Sequence, residues 1–453
     1  MDNKQHVVEL IDKARAAQAI ISEYSQEQID AMVKAMGKII DDHAVELAKE
    51  VIKETGLGNY EHKIMKNSQG RLFWYAIKDI KTVGIINEIP EKNIIEIAKP
   101  LGVLGCVSPT TNPTVTPMGN AMFAVKGGNA LVVAPHPRAK QTSTHTVNLM
   151  KEALAKLGAP VDILQCIEEP SIEGTQALMN NCDVVIATGG MGMVKAAYSS
   201  GKPAYGVGSG NVQVIIDYDY DDYKFAAESV IFSRTFDNGL ICAGEQAIII
   251  PKDKEDEIKE QFVAAGAYFV EDSSEVDKAR KAIFPEGVLN KDVVGQSAQK
   301  VAELCGITIP ENTKVIIFKP TGIGKDELLC KEKLCPAMTY VTYDTFDEAI
   351  QMAKINLLNE GAGHTAGLWS NSQERAKAVG LALPVSRIMI NQPTINAAGF
   401  YDNGLNPTPS LGCGSWGNNI ISENLTIKHM INISRVSAPI KGSEIPTVEE
   451  IWT

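Results

Sequence analysis

Cys242 lies in the segment FDNGLICAGEQ, residues 236–246, and is a candidate nucleophile. Asp237-Asn238-Gly239 is a turn signal, which predicts that the cysteine follows a bend and does not lie within a helix. A thiolate at such a bend is a good nucleophile when neighbouring dipoles lower its pKa. A cysteine is also a small hydrophobe that proteins often bury, so its position alone leaves both interpretations open.

Two further features have residue types suited to chemistry. His364, in the segment EGAGHTAGLWS, is predicted on a Gly-flanked loop before a strand, where an imidazole can exchange protons near neutral pH. The glycine-rich segment at 187–194 follows a predicted strand and opens a predicted helix, which suits a bound diphosphate. A second glycine cluster is YGVGSGN at 205–211. A solvent-exposed loop histidine and two tight turns are the alternatives.

Composition narrows the class of protein. The chain has 453 residues and a net charge of -12, which argues against a nucleic-acid surface because phosphate binding needs a basic face. No apolar run approaches the roughly 18 residues that a membrane helix requires. The N-terminal segment is charged and lacks the apolar region of a signal peptide. The cytoplasm is therefore the expected compartment.

The cysteines do not predict a disulfide framework or a metal site. Eight cysteines are scattered along a long chain, and we expect them to be reduced thiols. CKEKLC, at 330–335, has no second Cys/His pair at the spacing of a zinc site. We therefore predict that no metal is bound.

The pattern of apolar residues predicts an α/β protein. The first 65 residues have helical spacing, and 82–99 reads as two strands of a ribbon. From there to residue 220, short Val/Ile/Leu runs alternate with helical segments, which predicts a doubly wound parallel sheet. A second α/β pattern follows from residue 221.

We expect three regions: a cofactor-binding domain at 1–220, a catalytic domain at 221–410, and a C-terminal segment at 411–453 that returns to the first domain. The stretch 397–424 is rich in Gly, Asn, Pro and Ser, which predicts a long ordered loop. HMINISRVS is the last predicted strand.

Taken together, seven blocks resemble the aldehyde dehydrogenase superfamily in its CoA-acylating branch. The resemblance covers the whole chain and is closest to CoA-dependent succinate semialdehyde dehydrogenases and to the aldehyde dehydrogenase half of bifunctional aldehyde–alcohol dehydrogenases. The blocks are PTTNPTVTP, APHPRAK, VIATGGMGMVKAAYSSGKPAYGVGSGN, FDNGLICAGEQ, CKEKLCP, NEGAGHTAG and TPSLGCGSWGNNIISENLTIKHMINI. The resemblance implies a Rossmann-like cofactor domain, an α/β catalytic domain and a small oligomerisation ribbon. It also implies that the protein assembles as a homodimer or homotetramer.

The resemblance also implies roles for single residues. Cys242 matches the nucleophile, and the Asn112 side chain matches the amide that forms the oxyanion hole with the Cys242 N–H. His364 is then the candidate to take a proton from the thiohemiacetal or from CoA. The cofactor is NAD or NADP, with coenzyme A as cosubstrate. The implied cofactor contacts are Thr110, His136, Arg138, Gly189, Gly190, Gly208 and Glu332.

One departure from the family pattern bears on the reaction. Hydrolytic aldehyde dehydrogenases carry a water-activating glutamate in the segment that aligns with GVGSGN, and residues 205–211 contain no carboxylate here. Without that base a second thiol competes better with water, which favours CoA acylation. A hydrolytic enzyme and a catalytically silent scaffold are the rival functions.

Substrate choice is predicted from the same resemblance. Succinate semialdehyde is the first expectation, with sulfoacetaldehyde or acetaldehyde as alternatives. The family's succinate semialdehyde enzymes place a lysine near the position of Gly70 and a serine after the nucleophile, where this chain has Gly70-Arg71 and Ala243. Arg71 and Arg234 are candidates for an anionic tail, because guanidinium suits carboxylate and sulfonate. Surface arginines without such a role are the alternative.

Overall fold

The computed structural model describes residues 3–453, and it begins with a helical N-terminal region. The five helices of this region are α1 (Asn3–Ile21), α2 (Gln26–Asp42), α3 (Ala44–Thr55), α4 (Tyr60–Asn67) and α5 (Gly70–Ile77). Ser25 and Gln28 form the capping box at the start of α2: each backbone N–H donates to the other residue's side chain. The helices predicted in the first 65 residues are confirmed.

The first parallel sheet has five strands. Its elements are β3 (Val103–Val107), α6 (Val115–Lys126), β4 (Ala130–Ala134), α7 (Lys140–Lys156), β5 (Leu164–Cys166), α8 (Ile172–Asn181), β6 (Val184–Thr188), α9 (Met191–Tyr198) and β7 (Ala204–Val207). The strand order is β5-β4-β3-β6-β7, with every pair parallel. This is the doubly wound order, in which the chain changes direction between β3 and β6.

The second parallel sheet has seven strands in the order β10-β11-β12-β9-β8-β13-β14. Its strands are β8 (Val212–Ile216), β9 (Glu245–Pro251), β10 (Ala267–Val270), β11 (Val315–Phe318), β12 (Ala337–Tyr343), β13 (Gly363–Trp369) and β14 (Val385–Ile390). Its helices are α10 (Tyr223–Thr235), α11 (Glu255–Ala265), α12 (Ser273–Ile283), α13 (Ala298–Cys305), α14 (Phe346–Asn359) and α15 (Gln373–Ala382).

The boundary expected at residue 220 comes too late. β8 pairs with β9 on one side and with β13 on the other, so it lies inside the second sheet. The chain therefore passes from the first sheet to the second between Val207 and Val212. A buried apolar strand looks alike in either sheet, and its pairing partners are distant in sequence.

A three-stranded antiparallel sheet joins the two ends of the chain. It consists of β1 (Gly84–Ile89), β2 (Ile94–Pro100) and β15 (Ile431–Ser437), in the order β1-β2-β15. The predicted ribbon and last strand therefore pair with each other. A short helix, α16 (Val448–Trp452), follows.

The C-terminal segment packs on the first sheet before it reaches β15. Leu425, Ile427 and Met430 are buried in the hydrophobic core of that sheet. Between β14 and β15 the structure has 3₁₀ turns and one isolated bridge, Leu411 to Asn424, in agreement with the predicted loop. Across residues 3–453, no helix combines the length and apolarity needed to cross a membrane.

Candidate active site

A cleft of about 990 Å³ lies between the two parallel sheets. One wall follows the carboxyl ends of β3, β4 and β6, where Ser108, His136 and Gly189 line the cleft. The other wall includes Cys242 before β9 and Glu332 before β12. In doubly wound sheets, ligands bind where the strand order reverses, and this cleft occupies that place.

The nucleophile candidate sits on a strained turn. Asp237 and Asn238 adopt positive φ angles of 51° and 53°, a conformation that costs energy for residues other than glycine. The turn signal in the sequence is therefore confirmed. A bend at this point delivers the half-buried Cys242 to the cleft just before β9 begins.

His364 contacts the thiol directly. Its Nε2 lies 3.2 Å from the Sγ of Cys242, and its Nδ1 lies 3.0 Å from the Oγ1 of Thr365. The loop predicted for His364 is wrong, because His364 is the second residue of β13 and is fully buried. Gly363, the first residue of β13, has a positive φ of 83° and lies close to Cys413. A Cβ at position 363 would lie 1.7 Å from the Cys413 carbonyl oxygen.

Arg387 holds the backbone of His364 through hydrogen bonds. Its Nη2 donates to the carbonyl oxygens of His364 and Gly412, each at 2.8 Å, and its Nε donates to Thr365 Oγ1 at 3.4 Å. A tautomer with its proton on Nδ1, donating to Thr365 Oγ1, would leave Nε2 to accept the thiol proton.

Burial and charge keep both partners neutral. Burial, and next the charge of Glu332, raise the pKa of the Cys242 thiol to about 12. Burial, assisted by Arg387, lowers the pKa of His364 to about 3. The resting pair is therefore a thiol and a neutral imidazole, the form of histidine that can accept a proton.

Glu332 lies at the same end of the cleft as Cys242. Its Oε1 accepts a hydrogen bond from the Gly210 N–H at 3.0 Å, and its own N–H donates to Glu360 Oε2 at 2.8 Å. Burial and the Glu360 charge raise the pKa of Glu332 to about 8. A Cβ at position 210 would lie 2.0 Å from the Cys242 carbonyl oxygen, so only glycine fits there.

The wall at the strand ends has the features of a dinucleotide site. The hydroxyl oxygens of Ser108 and Thr188 are buried without a hydrogen-bond partner in the described residues, and both residues line the cleft. Gly190 caps the start of α9, whose first backbone N–H groups have no partner within the helix. These free donors and acceptors match the phosphates and ribose of a nicotinamide dinucleotide.

The other end of the cleft is basic. Arg138 and Lys291 line it together with His136, and their charges contribute, after burial, to a lowered His136 pKa. In the part of the chain that the structure describes, neither cation has an ion pair within 4.0 Å. Lys291 comes from the segment before α13, so both sides of the cleft supply charge to this end.

The structure brings most of the sequence-predicted residues to this one cleft. The lining includes the nucleophile, the oxyanion asparagine and the seven predicted cofactor residues, namely Cys242, Asn112, Thr110, His136, Arg138, Gly189, Gly190, Gly208 and Glu332. His364 reaches the site through its contact with Cys242. Their catalytic and binding roles stay predictions.

The candidate substrate residues are placed elsewhere. Arg71 is a surface residue with a 68% exposed side chain, and its Nε pairs with Asp41 at 2.7 Å. Arg234 is fully buried and donates to the carbonyl oxygens of Cys335 and Gly239. Neither arginine lies in the lining of the cleft, and each is held by other protein groups, so the structure gives no support to their predicted contact with the substrate.

Ala243 is buried beside the nucleophile. It packs in a small apolar cluster with Met389 and Leu411, against which Cys242 also packs. Ala243 therefore contributes an apolar surface and no polar group.

The comparison with protein families agrees with this arrangement. The model of the aldehyde dehydrogenase family matches residues 1–405, which is most of the chain. The chain belongs to this family. The aldehyde dehydrogenase fold that the sequence blocks predicted is thereby confirmed.

Individual aldehyde dehydrogenases are similar over their whole length. The chain is 51% identical to a succinate-semialdehyde dehydrogenase (acetylating) of Clostridium kluyveri, covering 100% of both chains. An acetylating aldehyde dehydrogenase structure from Geobacillus thermoglucosidasius matches with a TM-score of 0.94 and 38% identity, covering 98% of each chain. A Rhodopseudomonas palustris propionaldehyde dehydrogenase structure with bound CoA and an acylated cysteine matches with a TM-score of 0.86 and 26% identity, covering 95% and 97%.

Sequence reasoning missed the supporting residues of the site. Arg387 and Lys291 lie outside the sequence blocks, and Glu360 lies within the block NEGAGHTAG but had no predicted role. Arg387 did carry a signal, because it is a charged residue within the apolar strand pattern SRIMI. Such a residue in a buried strand needs polar partners, which here are carbonyl oxygens around His364.

Proposed function

We propose that the protein is an NAD(P)-dependent, CoA-acylating aldehyde dehydrogenase, which reversibly converts a small aldehyde into its acyl-CoA. The observation that carries the proposal is the 3.2 Å contact between the Cys242 thiol and a buried, neutral His364. The absence of a carboxylate from residues 205–211 supports transfer to a thiol over transfer to water. The similarity to enzymes described as acetylating agrees with it.

The proposed chemistry starts with the thiol. His364 Nε2 takes the Cys242 proton as Sγ adds to the aldehyde carbon, and the Asn112 side chain and the Cys242 N–H donate to the oxygen that becomes negative. Such donors are worth a few kcal/mol of transition-state stabilisation. NAD(P)+, when bound, would supply the hydride acceptor needed to convert this adduct into a thioester. Ser108, Thr188 and Glu332 line the cleft where the dinucleotide would be held.

The second half of the reaction uses the same groups. Once His364 has released the first proton to solvent, it takes the proton of the CoA thiol, whose sulfur adds to the thioester carbon, and Cys242 leaves as a thiolate that regains its proton from His364. The product is the acyl-CoA, with no net gain or loss of electrons in this half. A covalent intermediate of this kind predicts ping-pong kinetics.

Succinate semialdehyde is the first proposed substrate, on the strength of the 51% identical relative. A short neutral aldehyde is the second candidate, because the apolar cluster at Ala243 adjoins Cys242 and the two candidate arginines lie elsewhere. We expect the ratio of kcat/KM for succinyl-CoA over acetyl-CoA to decide between them. A ratio well below one would favour the neutral substrate.

The function is tested by product analysis. Purified protein is incubated with NADPH or NADH and a panel of acyl-CoAs, and the loss of reduced nicotinamide absorbance is followed together with release of free CoA. Cys242→Ala is expected to abolish both, and mass spectrometry is expected to show an acyl adduct on the wild type alone. Oxidation of an aldehyde to a free acid at the same rate without CoA would contradict the proposal.

We further propose that the protein assembles with copies of itself through the three-stranded sheet. β15 pairs with β2 on one side, and its residues 434–437 are exposed. The tail beyond it presents several exposed apolar side chains, namely Ile440, Ile445, Val448, Ile451 and Trp452. An unpaired strand edge and an apolar tail of this kind are typical of an interface between subunits.

A further inference from the structure

Two buried lysines converge on one carboxylate beneath the active site. Lys63 and Lys66 lie on α4, three residues apart and hence on the same side of the helix, and only 2% and 3% of their side chains are exposed. Their Nζ atoms lie 2.7 Å and 2.6 Å from the same oxygen, Oδ2 of Asp237. One ammonium would already neutralise this carboxylate, so the second lysine is more than charge pairing of Asp237 requires.

The cluster touches both segments that carry the reaction. Asp237 precedes Cys242 by five residues and belongs to the strained turn of positive φ. Thr111, whose carbonyl oxygen accepts from Lys66 at 3.0 Å and from Lys63 at 3.4 Å, is the residue before Asn112. The two ammonium groups therefore bridge the nucleophile turn and the oxyanion segment.

Further contacts fix Asp237 to the region of α4. Its Oδ1 accepts from the Asn59 N–H at 3.0 Å, and its own N–H donates to His62 Nδ1 at 2.9 Å. The His62 ring stacks on Phe236 with 4.6 Å between centroids. A strained backbone conformation persists when its surroundings over-determine it, and these contacts do so.

We propose that Lys63, Lys66 and Asp237 form a positioning clamp, which holds the Cys242 turn and the Thr111–Asn112 segment in the relative position that oxyanion stabilisation requires. The inference rests on the proposed roles of Cys242 and Asn112. The clamp residues do not touch the reacting atoms and act through the two segments. Because catalysis depends steeply on position, loosening one of the two bridges is enough to lower the rate.

The second lysine distinguishes a clamp from a simple buried ion pair. Burying an ammonium without need costs free energy, and each lysine here also bonds the Thr111 carbonyl. Lys126, by comparison, is a fully buried lysine with one carboxylate partner, Asp30, and its Nζ bonds neither the Cys242 turn nor the Thr111–Asn112 segment. It provides a matched control for the loss of a buried ammonium.

The test uses Lys66→Met and Lys63→Met, with Lys126→Met as control. Each clamp variant leaves one ammonium on Asp237, so the carboxylate stays paired and the fold is expected to persist, which thermal melting checks. The readout is the burst of p-nitrophenolate from p-nitrophenyl acetate. This acyl transfer needs the thiol and the oxyanion donors but neither CoA nor nicotinamide, so it remains informative even if the proposed CoA reaction fails.

We expect the burst rate of each clamp variant to fall by about 10- to 100-fold, while the Lys126→Met rate stays within about twofold of the wild type. In the CoA-linked assay, kcat is expected to fall far more than the KM for the reduced cofactor changes, because Thr110 is the one predicted cofactor residue next to the clamped segment. Burst rates of both clamp variants equal to that of the control would overturn the clamp. A rise in KM without a fall in kcat would do the same.

Discussion

The reactive pair is defined by what each side chain contacts, more than by its residue type. Cys242 is one of eight cysteines, and burial raises the pKa of several others that have no histidine beside them, Cys106 and Cys305 among them. Only the Nε2 contact gives the Cys242 proton an acceptor within 3.2 Å. A thiol whose own pKa is unfavourable is thereby made usable by a neighbouring base.

Replacing His364 by Gln is expected to lower the acyl burst rate at neutral pH by about 10²- to 10⁴-fold, the usual contribution of a general base. Because the thiol pKa is raised to about 12, the thiolate fraction of the variant grows with every unit of pH below that value. The variant's rate should therefore climb steeply from pH 7 to 10, and the wild-type rate less so. Stopped-flow burst kinetics across pH measure both, and a variant with the wild-type rate would contradict the role.

Arg138→Gln and Lys291→Gln test the basic end of the cleft. Each is expected to raise the KM for NADPH and for CoA by about tenfold, since a charge-assisted hydrogen bond is worth roughly 1.5–3 kcal/mol. NADH and dephospho-CoA, which lack the ribose phosphate, should change little. Lys38→Gln, at an exposed pair with Asp42, is the control. Equal losses for phosphorylated and unphosphorylated ligands would show that these cations do not read the phosphate.

Among single residues, the sequence predicted those that lie in recognisable blocks. It missed the residues that support the block residues from elsewhere in the chain. Cys242 and Asn112 each occupy a short segment with its own turn or proline signals. Arg387 and Lys63 reach their partners across 23 and 174 positions of the chain, a relation that no local pattern carries.

The elements place the reaction at facing sheet edges. Strands of the first sheet end at the cleft, and β9, β12 and β13 of the second sheet begin near it. Alternating apolar runs predicted the alternation of strands and helices in the first sheet and part of that in the second. The assignment of β8 to the first domain failed because the pairing partners of a strand are set by packing between distant segments.

The helix α4 should make stability depend on pH. Burial and the neighbouring Lys66 lower the pKa of Lys63 to about 7, whereas the unfolded chain keeps that proton up to about 10.5. Between these values the unfolded state binds more protons, so this lysine makes the free energy of unfolding rise with pH. His62, Lys66 and Asp237 are the titratable groups around it.

Lys63→Met removes this contribution. We expect the free energy of unfolding of the wild type, minus that of the variant, to increase between pH 7 and 10. Urea denaturation at several pH values measures this difference. A pH-independent difference would mean that Lys63 keeps an ordinary pKa in the folded protein.

The last strand ties the C-terminal segment to an earlier part of the chain, because β15 pairs with β2 of the ribbon that begins at Gly84. The tail beyond it makes few contacts with the rest of the chain, among them the Asn93 side chain donating to the Pro439 carbonyl. Deletion of residues 440–453 is therefore expected to preserve the fold and to lower the number of subunits in the assembly. Light scattering after gel filtration measures this number, and an unchanged number of subunits would exclude the tail from the interface.

The glycine at position 210 limits how the protein can be redesigned. With a substituent there forced to 2.0 Å from the Cys242 carbonyl oxygen, every replacement must push the nucleophile out of place. A mutant library intended to broaden aldehyde scope gains nothing by varying this codon. Leu240, which lines the cleft two residues before Cys242, is a position where diversity can change the cleft without this backbone clash.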